Sequence, residues 1–269
     1  MAEEKGDLAS GLFVADSERD PLRIVAEEGK PKKLARFYDT VTVAPQAQGF
    51  AVLLDGKPLR TPARAPLVLP TEALAEAVAR EWVAQAEEVI PASMPLTRLV
   101  NSAIDGVAAR MAEVEADAAK YAASDLVCYR AGDPASLVEA QNAAWDPLLS
   151  FLRERHGARF SLSEGVIHHA QPQETLDAIG RLLHEAVGEG AGAPFRLAGI
   201  HAMTTLAGSL VVALAVALRH IDAEAGFLVA HIDEDFQMQA WGADAEALAR
   251  RTRRLEEMRA AELCVALAG

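Results

Sequence analysis

The residues of this chain best placed to do chemistry lie in one run, His231 to Gly242, which reads HIDEDFQMQAWG. It sets three carboxylates, Asp233, Glu234 and Asp235, beside Phe236, Gln237 and Trp241. His231 and Glu234 stand three apart, on one face of a helix, and an imidazole and a carboxylate at that spacing make half of a metal site in a helical bundle. The alternative function carried by that pair is a metal-dependent enzyme. A complete site needs a second element of the same kind. The nearest candidate, His184-Glu185, has the wrong spacing, so no metal or other cofactor is expected. The same run supports recognition instead. Glu234, Gln237 and Trp241 follow helical steps of three and four, which puts an acid, an amide and an aromatic ring on one side. The plainest reading is a helix with its acids in water and a buried Phe/Trp stripe.

Other reactive residues carry less. His168 and His169 are adjacent in an extended segment, so their side chains point to opposite faces and do not share a metal. His201 sits in an apolar run and is expected to be a satisfied core histidine. The chain has no GxxxxGKS/T phosphate loop, no GxGxxG after a strand, no GxSxG elbow and no HExxH. Gly188, Gly190 and Gly192 read as a linker. The run Arg250 to Arg254, RRTRR, reads as a solvated helix face in which Glu246–Arg250 and Arg253–Glu257 form (i, i+4) pairs. No catalytic residues emerge from these motifs.

The elements that must carry these residues follow from pattern. The 269 residues are 51% hydrophobic and 24% charged, which excludes disordered, collagenous and coiled-coil composition. A net charge of −13 gives no electrostatic footprint for nucleic acid or an anionic membrane. Cys128 and Cys264 form no disulfide framework or zinc pattern, which fits a reducing cytoplasm. The acid-rich N-terminus has neither a signal-peptide core nor the look of a transit peptide. Residues 1–33 are expected to form a flexible or docked arm. Residues 34–92 read as a small β-rich domain with one helix. FYDTVTVA alternates, and GFAVLLDGKPLRTP gives two strands about Asp55-Gly56, a type I′ hairpin signal. Thr71 caps a helix with Leu74, Val78 and Trp82 on one face.

Residues 93–269 read as a larger all-helical domain, making the class α+β. One long amphipathic helix is expected through Leu96, Val100, Ile104, Val107, Met111, Val114, Ala118 and Tyr121. Asp133 is expected to cap a helix with Pro134 at its first position, bent or split at Pro147 and stopped at Gly157. A helix from about Pro172 ends at Gly188 and Gly190. Leu197 to Leu218 is uncharged and long enough to span a bilayer. Its His, Thr, Ser, Gly and Ala content and missing aromatic belt point to a helix buried in a bundle, with no stable membrane insertion. Further helices open at Asp222 and near Asp244.

Several blocks stand in an order that resembles one family. They are FAVLLDGKPLRTP, PLVLPTEALAEAVAREW, MPLTRLVNSAIDG, SDLVCYRA, WDPLLSF and DEDFQMQAWG. The order is similar to that of the assembly chaperones of the F-type ATP synthase catalytic sector, specifically those dedicated to its α subunit, in the bacterial branch. The resemblance covers about residues 34–267. It implies a β-rich N-terminal and a helical C-terminal domain, no enzymatic activity, and a partner, the unassembled α subunit, protected from aggregation until it meets the β subunit. It places the family's acidic-aromatic motif on Asp233, Glu234, Asp235, Phe236, Gln237, Trp241 and Gly242. Many relatives carry another acid four residues after the tryptophan. Here that position is Ala245, with Glu246 beside it. The expected partner-binding residues are Glu234 first, then Asp233, Asp235, Gln237, Trp241 and Glu246, on a monomer.

Overall fold

The structure is a computed structural model that describes residues 34–165, 167–242 and 244–269. The arm expected over residues 1–33 lies outside the described residues. Two compact units divide the chain between Ala109 and Arg110, and Leu267–Gly269 belong with the first.

In the first unit, β1 (Leu34–Ala35) pairs with β6 (Glu88–Val89). β2 (Val41–Gln46) runs antiparallel to β3 (Gly49–Leu54), with Val43 opposite Val52. Asp55 (φ 47°) and Gly56 (φ 77°) turn the chain into β4 (Lys57–Pro58), the paired positive φ values that an Asp-Gly turn allows. The Asp55 carboxylate accepts from the Asp39 N–H at 3.0 Å and the Thr40 N–H at 2.9 Å, fixing the strand that enters the sheet. β5 (Val68–Leu69) pairs with β3 through Phe50 and Leu69. Pro45 lies in β2 at the sheet edge, where its missing N–H interrupts no ladder.

Helix α1 (Glu72–Val83) covers this sheet. The Thr71 hydroxyl accepts from the Leu74 N–H at 3.2 Å, and Leu74, Val78 and Trp82 are all buried, as the spacing predicts. α2 (Pro95–Ser102) has its first free N–H groups held from outside the helix: the Glu81 carboxylate accepts from Leu96 at 2.8 Å and Thr97 at 2.7 Å. Burial raises the Glu81 pKa even against those hydrogen bonds.

The long helix expected through Leu96 and Tyr121 is not continuous. It stops at Ser102, passes through a π-turn at Ala103–Val107, and resumes as α3 (Met111–Lys120) in the second unit. The Asp105 carboxylate in that turn accepts from the Thr61 hydroxyl at 2.6 Å and the Ala63 N–H at 3.1 Å. These contacts to the proline-rich loop go with the altered winding.

The second unit is helical apart from a two-residue parallel pairing of β7 (Tyr129–Arg130) with β8 (Ser163–Glu164). α4 (Ala135–His156) starts one residue later than expected. Pro134, not Asp133, occupies the cap position, and no side chain caps the helix there. The helix continues through Pro147 and stops at Gly157. α5 (Gln173–Val187) ends at Gly188 as predicted.

The apolar run 197–218 is also broken. α6 (Ala193–Ala207) ends at Gly208 in the left-handed conformation (φ 63°), and α7 (Leu210–Ala217) begins after Ser209. The Ser209 hydroxyl accepts from the Val212 N–H at 3.1 Å and itself donates to the Asp125 carboxylate. Asp125, fully buried, also accepts from the Val211 N–H at 3.0 Å and the Val127 N–H at 3.3 Å. Burial outweighs these donors and pushes its pKa up to about 6. Leu210 to Val216 are all buried, with α4, α5, α6 and the next helix packed around them. Among the described residues no helix is long and apolar enough to cross a membrane.

Candidate partner-binding site

Three helices build the site. α8 (Ala223–Ala230) is capped by Asp222, whose carboxylate accepts from the Ala225 N–H at 2.7 Å. α9 (Ile232–Trp241) carries the acidic-aromatic run, and α10 (Ala245–Leu267) carries the arginines. The Trp145 indole on α4 donates to the Val229 carbonyl at 2.9 Å and so pins the end of α8.

His231 is the single residue between α8 and α9 and is 3% exposed. Its ring stacks on Phe227 at 4.0 Å, and its Nδ1 lies 2.7 Å from the Phe227 carbonyl. A carbonyl can only accept, so Nδ1 carries the proton and Nε2 faces Glu234 Oε2 at 3.9 Å. Burial holds the imidazole pKa below its ordinary value, and the Arg254 and Arg251 guanidinium groups act the same way.

The acids divide by partner. Asp233 turns inward and accepts from Gln141 Nε2 at 2.7 Å. Gln141, buried on α4, accepts from the Ala131 N–H at 2.8 Å, so one amide ties α9 to the chain before α4. Asp235 binds Arg251 at 2.7 Å, and Arg251 lies over the Phe227 ring at 5.1 Å. Glu246 binds Arg250 at 2.8 Å, the (i, i+4) pair expected. Glu234 has only a loose partner, Arg254 Nη1 at 3.6 Å, while Arg254 Nη2 donates to the Leu206 carbonyl at 2.9 Å.

Between α9 and α10 lies a cleft of about 450 Å³, lined by Glu234, Gln237, Met238, Trp241 and Gly242 on one side and Ala247, Arg250, Arg251 and Arg254 on the other. The expected buried Phe/Trp stripe is absent at its outer end. Trp241 is 89% exposed, whereas Trp82 and Trp145 are each 1% exposed. The face predicted from helical steps is therefore present: Glu234, Gln237 and Trp241 line one wall.

The sequence reading missed Gln141, Met238, Arg251 and Arg254. RRTRR is not simply a solvated face, because Arg251 and Arg254 turn inward against α9 and α6. Their signal was present in the spacing. Positions 251, 254, 258 and 261 continue one stripe, and Met258 and Ala261 are its buried end. Near a core, an arginine in such a stripe lays its stem on apolar surface and takes its head to a carboxylate.

The remaining histidines are dispersed. His201 is not a core residue; it is partly exposed and its Nε2 meets Asp117 Oδ2 at 3.2 Å. His184 Nδ1 meets Glu115 Oε1 at 3.0 Å, and His168 Nδ1 lies 3.3 Å from the Tyr129 hydroxyl. Among the described residues no three His, Cys, Asp or Glu side chains converge as metal ligands. Both cysteines are buried, and burial pushes each thiol pKa up to about 12.

Comparison with known proteins gives this geometry a family. The family described as ATP12 chaperone protein matches residues 35–153. The crystal structure of Atp12 from Paracoccus denitrificans is 41% identical, with a TM-score of 0.79, over 88% of this chain and 99% of that one. An aspartate-to-lysine variant of the same P. denitrificans protein matches at 41% identity and a TM-score of 0.78, over 88% of this chain and 98% of that one. The Atu1473 protein of Agrobacterium tumefaciens is 43% identical, with a TM-score of 0.84, over 100% of this chain and 98% of that one. Identity of this level over nearly whole chains carries the α+β architecture and the ordered sequence blocks together, and this chain belongs to the ATP12 chaperone family, with the role of an ATP synthase assembly chaperone.

Proposed function

We propose that this protein binds the unassembled α subunit of the F-type ATP synthase and keeps it from aggregating until the β subunit takes its place. It does so without ATP and without catalysis, as a monomer in the cytoplasm. A ring subunit made before its neighbours exposes a large interface, and exposed apolar surface associates wrongly. A folded protein with matching chemistry can cover that interface by binding alone.

The observation that carries the reading is the exposed Trp241 on the wall of a cleft that it shares with Glu234 and Gln237, in a protein whose other two tryptophans are buried. Tryptophan is among the residues most enriched at interface hot spots, with polar groups around it at the rim. Glu234, Gln237 and Trp241 are the contact residues in this reading. Asp233, Asp235 and Glu246 hold the face in shape through Gln141, Arg251 and Arg250. Co-expression with the isolated α subunit tests it. A 1:1 complex on size exclusion and less aggregated α subunit are expected. Glu234→Lys combined with Trp241→Ala should abolish both without changing the circular dichroism spectrum. An intact complex with that double variant rules out this face.

A further inference from the structure

We propose that the cleft between α9 and α10 is a receptor for one arginine side chain of the partner, with its guanidinium on Glu234 and Gln237 and its stem against Trp241. Naming the partner as the α subunit rests on the preceding reading; the chemistry of the cleft does not. Of the four carboxylates Asp233, Glu234, Asp235 and Glu246, one, Glu234, lines the cleft, together with Arg250, Arg251 and Arg254. Asp233, Asp235 and Glu246 each accept a hydrogen bond of 2.7–2.8 Å. Glu234 does not: its nearest cationic nitrogens are Arg254 Nη1 at 3.6 Å and His231 Nε2 at 3.9 Å, and its side chain is 57% exposed. Of the four it is the one without a side-chain hydrogen bond of normal length.

On the opposite wall Arg250 and Arg251 each bind a carboxylate of their own and Arg254 reaches the Leu206 carbonyl, while Arg251 Nη1 is buried without a hydrogen-bond partner. The acceptor end and the ring are seven residues apart on one helix face, about 10 Å at 1.5 Å per residue. That length suits a long side chain with an apolar stem and a charged head. A planar guanidinium can donate two parallel bonds to one carboxylate, a fork that a lysine ammonium does not match. A net charge of −13 attracts cationic surface from a distance.

Trp241 is its own reporter, because acrylamide reaches it and not the two buried tryptophans. The full chain is titrated with acetyl-Ala-Arg-Ala-amide and with the peptides bearing lysine, norleucine or glutamate at the centre. The arginine peptide should protect Trp241 saturably, the lysine and norleucine peptides several-fold more weakly, and the glutamate peptide not at all. Glu234→Gln should weaken the arginine response about tenfold, the loss of one charge-assisted bond. Stronger protection by the glutamate peptide, or an unchanged arginine response in Glu234→Gln, overturns the proposal. The two readings fail separately. Capture of α subunit with no arginine-peptide response removes the receptor and leaves the chaperone reading. An arginine-peptide response with no capture of α subunit removes the chaperone reading alone.

Discussion

Replacing Ser209 by alanine probes the centre of the helical unit, and its cost should depend on pH. The hydroxyl does two jobs. It caps α7 by accepting from Val212, and it donates to the buried Asp125 carboxylate. Loss of the cap costs about 1 kcal/mol at any pH. The lost donor costs roughly 1.5–3 kcal/mol while Asp125 is ionised and roughly 0.5–1.5 kcal/mol once it is neutral. Asp125 has a folded pKa of about 6 against an ordinary 3.8. A raised folded value means that its contribution to stability is full below the unfolded pKa and is lost as pH rises through the folded one. Removing the hydroxyl takes away a donor to the charged form and raises the folded pKa further. Each added unit costs about 1.4 kcal/mol at pH 8. The destabilisation should therefore be about 2.5–4 kcal/mol at pH 8 and about 1.5–2.5 kcal/mol at pH 5. Urea unfolding of both proteins at the two pH values, followed by circular dichroism and tryptophan fluorescence, measures it. Equal losses at pH 5 and pH 8, or a larger loss at pH 5, would refute the assignment of Asp125 as a buried, ionising acceptor.

Other substitutions separate packing from chemistry. Gly180→Ala on α5 adds a methyl group with nothing within 4 Å and should stabilise by about 1 kcal/mol through helix propensity. Gly199→Ala on α6 should destabilise by about 1–3 kcal/mol, because the new carbon would meet the Ala261 carbonyl oxygen of α10 at 2.8 Å. Melting temperatures of the two variants should move in opposite directions. Gln141→Leu leaves the Asp233 carboxylate and the Ala131 N–H without their partner and should cost about 2–4 kcal/mol in urea unfolding. The lowered His231 pKa gives a dependence of the opposite sense to that of Asp125. Its stability contribution is present above the ordinary value of 6.5 and is lost as pH falls below it. His231→Phe should remove that loss, so the variant should lose less stability than the parent, or gain some through Asp125, between pH 7 and pH 5.

Local signals were legible where local chemistry decides the structure. The Asp55-Gly56 hairpin, the Thr71 cap and the Leu74–Val78–Trp82 face need only nearby residues, and they form as read. The two helix breaks need distant ones. Gly208-Ser209 reads as two more small residues in an apolar run until Asp125, 84 positions from Ser209, supplies an acceptor for the freed donors. The π-turn at Ala103–Val107 depends in the same way on Thr61 and Ala63, which engage Asp105. At the site, helical steps placed Glu234, Gln237 and Trp241 on one wall. They did not reveal the opposite wall, because Arg251 and Arg254 look solvated until their stripe is followed into Met258 and Ala261. Nor could they show that Asp233 turns inward, since its partner Gln141 is on another helix.

The burial of α7 has a consequence for how the molecule breathes. The segment from Leu210 to Val216 has no solvent-facing side, so its amide protons can exchange with deuterium only when the surrounding helices come apart. None of the α9 side chains is fully buried, so that helix can fray while the centre stays shut. The region that presents Trp241 can thus yield to an incoming surface and recover, with the slow-exchanging interior holding the memory of the fold.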